Sequence, residues 1–267
     1  MIKAVVTGAA GRMGSRIVNV LSTSEGIVLG GALEKKGQSL LGQDAGGPAS
    51  IPATGIKIVD DIFAALKAGD VLIDFTFPEV SLAHLKVCAE QGKAAVIGST
   101  GFTKEHLAEV SKFVQKIPCV LSPNMSVGVN VCFKVLADLA KILGPDFDAE
   151  IVEWHHRLKK DAPSGTAVRM GEVVANALGR DYRKVAKLHR EGITGARTDE
   201  EIGMQTVRGG DIVGEHTVFF IGMGERIELT HRAHTRDMFA RGAVRAAKWV
   251  VGKKPGLYDM QDVLGLK

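Results

Sequence analysis

The sequence predicts a two-part α/β protein: a doubly wound parallel sheet, then a second α+β domain carrying an open mixed sheet. Three observations predict it. The chain opens with a β-branched run, Ile2 to Thr7, that passes through Gly8-Ala9-Ala10-Gly11-Arg12-Met13-Gly14 into helical spacing at Ile17, Val18 and Leu21. Short apolar runs then alternate with helical patterns as far as Leu121, as expected of parallel strands covered on both faces. Late in the chain the rhythm changes, and two runs with strand alternation, Glu215 to Ile221 and Glu225 to His231, are joined by Gly222-Met223-Gly224 as an antiparallel hairpin.

The first unit, strand then glycine turn then helix, is the Rossmann-type arrangement. Its first glycine permits a tight turn, the next lets backbone approach a pyrophosphate, and the last lets helix pack on strand. Gly8, Ala9, Ala10, Gly11, Arg12 and Met13 are therefore candidate cofactor contacts. The spacing is Gly-x-x-Gly-x-x-Gly, which departs from Gly-x-Gly-x-x-Gly, and such a turn by itself can be merely structural. The next strand, Ile27 to Leu33, ends at Glu34, 20 residues beyond Gly14. An acidic side chain there accepts from the ribose hydroxyls of NADH, and the following Lys35 suits the 2′-phosphate of NADPH, so use of both cofactors is expected. Gly37 to Gly55 reads as a long Gly/Ser/Ala/Pro loop over the sheet edge.

Four further units keep the rhythm: Ile56–Val59 with Ile62–Lys67, Val71–Thr76 with Val80–Gln91, Ala94–Ile97 with Thr103–Lys116, and the strand Cys119–Leu121. Ligands of such sheets gather at the carboxyl ends of strands. Phe75-Thr76, Gly98-Ser99-Thr100 and Ser122-Pro123-Asn124-Met125 fall there, and are expected to line the nicotinamide half of the site.

An apolar helix, Asn130 to Leu143, leads into the second domain, with a boundary near residue 127. Ala149–Val152 reads as a strand, followed by a polar loop holding His155, His156, Lys159 and Asp161. Ser164 is a natural N-cap for a helix running to Leu178, and the free N–H groups of Gly165 and Thr166 with the helix dipole would hold an anionic group. A proton donor and a fixed positive charge thus stand near an anion site. Adjacent histidines rarely share one metal, His-Glu-x-x-His is absent and no Cys pair has ligand spacing, so no metal is expected.

Composition excludes several classes. Of 267 residues, 45% are hydrophobic and 24% charged, and no apolar run approaches the ~20 residues of a membrane span. A net charge of +4 with 5% aromatic residues gives no base-and-ring interleaving for nucleic acid. Cys88, Cys119 and Cys132 are scattered in apolar contexts, which suggests reduced structural thiols. The N-terminus enters a strand without a secretory pattern, so a cytoplasmic location is expected.

Glu150, Glu153, His155, Lys159, Asp161 and Pro163-Ser164-Gly165-Thr166-Ala167 fit without a gap the signature of the 4-hydroxy-tetrahydrodipicolinate reductase family, also called dihydrodipicolinate reductases. The resemblance continues in Gly11–Gly14, Ile97–Phe102, Asn124–Asn130 and Gly210–Thr217, and covers effectively the whole chain. It implies that His155 donates the proton, that Lys159 supports it and neutralises a substrate carboxylate, and that His156, Gly165 and Thr166 bind a small dicarboxylate. It assigns cofactor contacts to the Gly98 and Ser122 stretches, although Met125 stands where many members carry Phe. It further implies a homotetramer through the second-domain sheet, and a C-terminal part that returns to the first domain. The expected division is 1–126 with 237–267 for the dinucleotide and 127–236 for substrate and assembly. Two other classes fit parts of the pattern. Another nicotinamide-dependent dehydrogenase of the aspartate pathway would want a nucleophilic cysteine in its acyl-transfer form. A non-catalytic cofactor sensor would have no need of His155 and Lys159.

Overall fold

The computed structural model describes residues 1–267. By its internal contacts the chain divides into Met1–Val127 with Arg236–Lys267, and Gly128–Thr235.

The elements of the first unit begin with β1 (Ile2–Thr7), α1 (Gly14–Ser22), β2 (Ile27–Leu33), β3 (Ile58–Val59), α2 (Ile62–Lys67), β4 (Val71–Asp74) and α3 (Pro78–Gln91). β5 (Ala94–Ile97), α4 (Lys104–Phe113) and β6 (Pro118–Leu121) follow. The second unit holds α5 (Val127–Leu143), β7 (Asp148–His155), α6 (Gly165–Ala177), α7 (Tyr182–Val185), β8 (Ala186–Lys187), β9 (Ile202–Arg208), β10 (Gly214–Ile221) and β11 (Arg226–Ala233). The chain ends in the first unit with α8 (Asp237–Val250), β12 (Gly256–Tyr258) and α9 (Met260–Leu264).

In the first unit seven strands run parallel in the order β12-β6-β5-β4-β1-β2-β3. The order reverses between β1 and β4, and the crevice at their carboxyl ends is where such sheets bind ligands. Alternation along β1 sends Ala4 and Val6 to a core shared with α1 and α8, and Val5 to one shared with α2, α3 and α4. Helices therefore cover both faces, which explains strands that are apolar at every position.

Residues 37–57 are not a bare loop. Asp44 organises them, accepting from the N–H groups of Gly46 at 2.7 Å, Thr54 at 2.9 Å and Gly55 at 2.8 Å. Those backbone hydrogen bonds, Thr54 first, hold its carboxyl below the ordinary carboxylate value. Ala45 and Ala49 are buried against the core with α1.

The second unit is a five-stranded mixed sheet, β11-β10-β7-β9-β8, antiparallel through β11-β10-β7 and parallel through β7-β9-β8. One face packs Ala149, Ile151, Ile202, Met204, Val218 and Phe220 under α5 and α6. The strand expected at Ala149–Val152 extends to His155, because its alternation of buried and open positions continues unbroken. His155 is thus a strand residue, and the polar loop starts at His156. The expected hairpin forms, as β10 and β11. β9 was not apparent from the sequence: glycine and glutamine interrupt its apolar positions. At Gly203 a Cβ would meet the Glu150 carboxylate, so a larger residue there would displace that side chain from Arg190 and Arg197.

Candidate active site

In the first unit the glycine turn leaves β1 and enters α1 at the crevice. Gly11 N–H donates to the Gly8 carbonyl at 2.8 Å, closing the turn. A Cβ at Gly14 would stand 2.0 Å from the Gly8 carbonyl oxygen, so the helix start approaches the strand end closely only because glycine is there. A cavity of about 560 Å³ opens over this turn, lined by Gly8, Ala10, Gly11, Arg12, Met13, Glu34 and Lys35, and by Thr76, Phe77 and His84 across the switch point. That volume lies within the ~300–1,000 Å³ of small-molecule sites. The glycine-bearing turn at the start of α1, the acidic residue at the end of β2 and the cavity together fit a nicotinamide dinucleotide. Ala9 departs from its neighbours: it is buried in the core, and its N–H is used by the Leu33 carbonyl at 3.1 Å.

Arg12 and Met13 also line a second cavity of about 300 Å³ with Phe75, Gly98, Pro123, Asn124 and Met125. Gly98 is confined by Phe75, whose ring a Cβ would meet at 2.4 Å. Ser99 and Ser122 lie beneath the surface as supports. The Ser99 and Ser81 hydroxyls are 2.7 Å apart, and Ser122 Oγ donates to the Asn124 carbonyl at 2.9 Å. Thr100 is exposed and Met125 is buried. Buried Asp74 at the end of β4 gathers the neighbouring loops, accepting from Thr76 N–H at 2.8 Å, Ser81 Oγ at 3.0 Å and His84 Nδ1 at 2.7 Å. Burial alone would push Asp74 up, but His84 and Thr76 more than offset it and hold the carboxyl below its ordinary value. Asp74 and His84 carry no sequence signal of their own, since they look like parts of an ordinary strand end and helix.

In the second unit, alternation assembles the chemistry. Glu153 and His155 are two apart on β7 and share the face under the helices. Register puts Thr206 of β9 and His216 of β10 on either side of Glu153, and Arg208 beside His155. Glu153 has no exposed surface. It accepts from His155 Nδ1, from both terminal nitrogens of Arg208 at 2.9 Å each, and from Ser164 N–H at 3.0 Å. Burial by itself would raise its carboxyl; the hydrogen bonds of His155, Arg208 and Ser164 prevail and bring it to about 2.

Ser164 caps α6, its hydroxyl accepting from Ala167 N–H at 3.2 Å and lying 3.0 Å from His216 Nε2. Gly165 and Thr166 occupy the first two positions of α6, directly after the Ser164 cap. The His155 and His216 rings meet edge to face at 5.2 Å. His216 is pushed down to about 3, chiefly by burial and then by His155, so its ring is neutral. Lys159 Nζ pairs with both carboxylate oxygens of Asp161 at 2.7 and 2.8 Å. His156 has a buried Nδ1 without a partner in the protein. The structure thus brings His155 and the α6 start together through Glu153. The role of Glu153, Arg208 and His216 was missed, and the period-two spacing of Glu153 and His155 was the available signal.

All three cysteines are free and buried, and burial pushes Cys119 up to about 12. None is an activated thiolate.

Comparison with known proteins agrees with this layout. Residues 2–125 match the family described as dihydrodipicolinate reductase, N-terminus, and residues 128–264 match dihydrodipicolinate reductase, C-terminus. Proteins named 4-hydroxy-tetrahydrodipicolinate reductase from Citrifermentans bemidjiense and Geotalea uraniireducens are each 69% identical over 267 residues, covering 100% of both chains. Among solved structures, a dipicolinate-bound dihydrodipicolinate reductase from Paenisporosarcina sp. TG-14 superposes with a TM-score of 0.78 at 27% identity, covering 98% of each chain.

Proposed function

This chain belongs to the dihydrodipicolinate reductase family, and from that premise we propose that it reduces 4-hydroxy-tetrahydrodipicolinate to tetrahydrodipicolinate with NADH or NADPH, in the diaminopimelate route to lysine. The observation that carries the reading is the buried Glu153 carboxylate that ties the His155 ring and the start of α6 together. A proton donor and an anion-binding helix start in one rigid cluster suit a reducible ring bearing carboxylates.

Loss of the 4-hydroxyl as water leaves a ring double bond ending at C4, to which the bound nicotinamide would supply hydride. Residues 1–126 with 237–267 would hold the cofactor and residues 127–236 the substrate. In the first part Glu34 accepts from the ribose, Lys35 faces the 2′-phosphate, and the stretches at Gly98 and Ser122 border the nicotinamide. In the second, Gly165 and Thr166 present N–H groups to one carboxylate while Lys159 and His156 bind and orient the ring. His155 delivers the proton to the carbon next to C4. A positioned acid contributes about 10²–10⁴-fold, and holding donor and acceptor in register supplies much of the rest.

The sheet face away from α5 and α6 exposes Trp154 and Ile221 among half-buried Val152 and Phe219. An apolar face of that kind favours burial against other copies, and we assign it to a homotetramer. Three buried free thiols suit a reducing cytoplasm. No helix is long and apolar enough to cross a membrane.

The test is steady-state oxidation of NADH and of NADPH, with substrate generated in place from pyruvate and aspartate semialdehyde by a coupling synthase. Substrate-dependent turnover with both cofactors is expected. Binding of cofactor without turnover would refute the reading and leave a cofactor sensor or a nicotinamide-dependent dehydrogenase acting on another substrate.

A further inference from the structure

We propose that Glu153 is the positioning residue for His155: its carboxylate, braced by Arg208, keeps a hydrogen on Nδ1 of the imidazole, so that Nε2 is the atom that releases the proton. The inference rests on the functional reading above and adds to it a residue that reading leaves without a role in the reaction.

The hydrogen inventory around Glu153 leaves one arrangement. Arg208 and the Ser164 N–H can only donate. They take the Glu153 oxygens at 2.9, 2.9 and 3.0 Å, and Thr206 Oγ1 is 3.4 Å from Oε1. A carboxylate so surrounded is ionised and can only accept, so His155 Nδ1, its remaining neighbour, carries a hydrogen. Arg208 is itself fixed, donating to the carbonyls of Asp161 at 2.7 Å and Val207 at 2.8 Å. One buried ion pair therefore braces the strand end with His155, the loop with Lys159 and Asp161, and the cap of α6.

Nε2 is the open nitrogen. A Cβ at Gly214 would come within 3.0 Å of it, so the residue beside it is one that leaves it approachable. In the protonated ring, the Nε2–H bond breaks and its electron pair stays on nitrogen. The new C–H bond forms beside C4 from the electron pair displaced when hydride arrives at C4. Glu153 keeps its charge throughout, and water returns a proton to Nε2. The charged and titratable groups around the imidazole are Glu153 on its own strand, Arg208 on β9, His216 on β10, and the Lys159–Asp161 pair in the loop.

Glu153→Gln should lower kcat by about 10²-fold with the KM for NADH little changed, and should move the alkaline limb of the kcat–pH profile toward acid by about one unit or more, because the imidazolium loses its counter-charge. Glu153→Asp, which retains the charge, should return that limb toward the wild-type position. A fall in kcat with the limb unmoved would mean a purely structural role and overturn the proposal. Should Glu153→Gln fail to fold, nitrogen-15 NMR of histidine in the wild-type protein decides: the neutral ring of His155 should be the Nδ1–H tautomer, and an Nε2–H tautomer overturns the proposal. Absence of wild-type turnover would refute the functional reading while leaving the tautomer measurement to stand; a wild-type profile in an active Glu153→Gln would refute only this inference.

Discussion

Ala10 N–H donates to Glu34 Oε1 at 2.9 Å, so the glycine turn is latched to the end of β2 by the side chain expected to face the cofactor ribose. Glu34 Oε2 accepts weakly from its neighbour Lys35 N–H at 3.3 Å. A carboxylate has about four acceptor sites, so the latch leaves it able to receive ribose hydroxyls. The latch also fixes where Lys35 begins, on the wall of the same cavity.

Cofactor selection follows from that wall. If Lys35 meets the 2′-phosphate of NADPH as proposed, Lys35→Ala would delete one charge-assisted contact of roughly 1.5–3 kcal/mol and leave NADH contacts untouched. The KM for NADPH should rise about tenfold or more with that for NADH little changed, in steady-state assays at saturating substrate. Equal changes for both cofactors would place the Lys35 charge in solvent.

The glycine turn has a geometric test. At Gly14 a Cβ would lie 2.0, 2.6 and 2.8 Å from backbone atoms of Gly8 and Ala9, none of which can swing aside. Gly14→Ala must open the turn, at a cost of about 1–3 kcal/mol. The melting temperature should fall by roughly 3–10 °C, with KM raised for both cofactors alike. A thermal melt matching wild type would show that α1 can slide away from β1 without penalty.

Much of this was legible in the sequence, and the exceptions share a cause. The strands of the first unit are buried on both faces, so unbroken apolar runs such as Val71–Ile73 announce them. β9 escaped because its inward positions pass from Ile202 and Met204 to Thr206 and Arg208, which read as polar loop. Those two polar residues are on the inner face because Glu153 is there to receive them. His155 stands out in the sequence as a candidate acid and Glu153 shares its strand face at period two, whereas Arg208, Thr206 and His216, which surround Glu153, are placed by strand register. Register between segments some fifty residues apart is not written in local pattern.

For the proposed proton donor, His155→Gln should lower kcat by about 10²-fold or more while NADPH affinity stays nearly intact, since on that reading the change removes an acid and no cofactor contact. Lys159→Ala should impair both kcat and the substrate KM if, as proposed, one charge binds the carboxylate and supports the acid. Kinetics in which Lys159→Ala changed the cofactor KM alone would move Lys159 out of the substrate site.

Acid stability offers a check that needs no substrate. His216 is 4% exposed, and its folded value of about 3 lies below the ordinary 6.5, so folding favours the neutral ring. A depressed folded value means that its contribution is fully present above about pH 6.5 and is lost as pH falls toward 3. Glu153, lowered from 4.5 to about 2, loses its own contribution in the same sense but only below about pH 4.5. Between pH 6.5 and 4.5 the histidine effect therefore stands apart from that carboxylate. His231, also lowered by burial, adds to it. His216 contributes a slope of up to ~1.4 kcal/mol per pH unit. Urea unfolding at half-unit steps across this window should show stability declining with acid in the wild type. His216→Gln should be less stable at pH 7, having lost the contact with Ser164, yet show a shallower decline. An identical slope in the variant would mean that His216 is protonated in the folded protein, and that the row Thr206–Glu153–His216 carries one more positive charge than its burial allows.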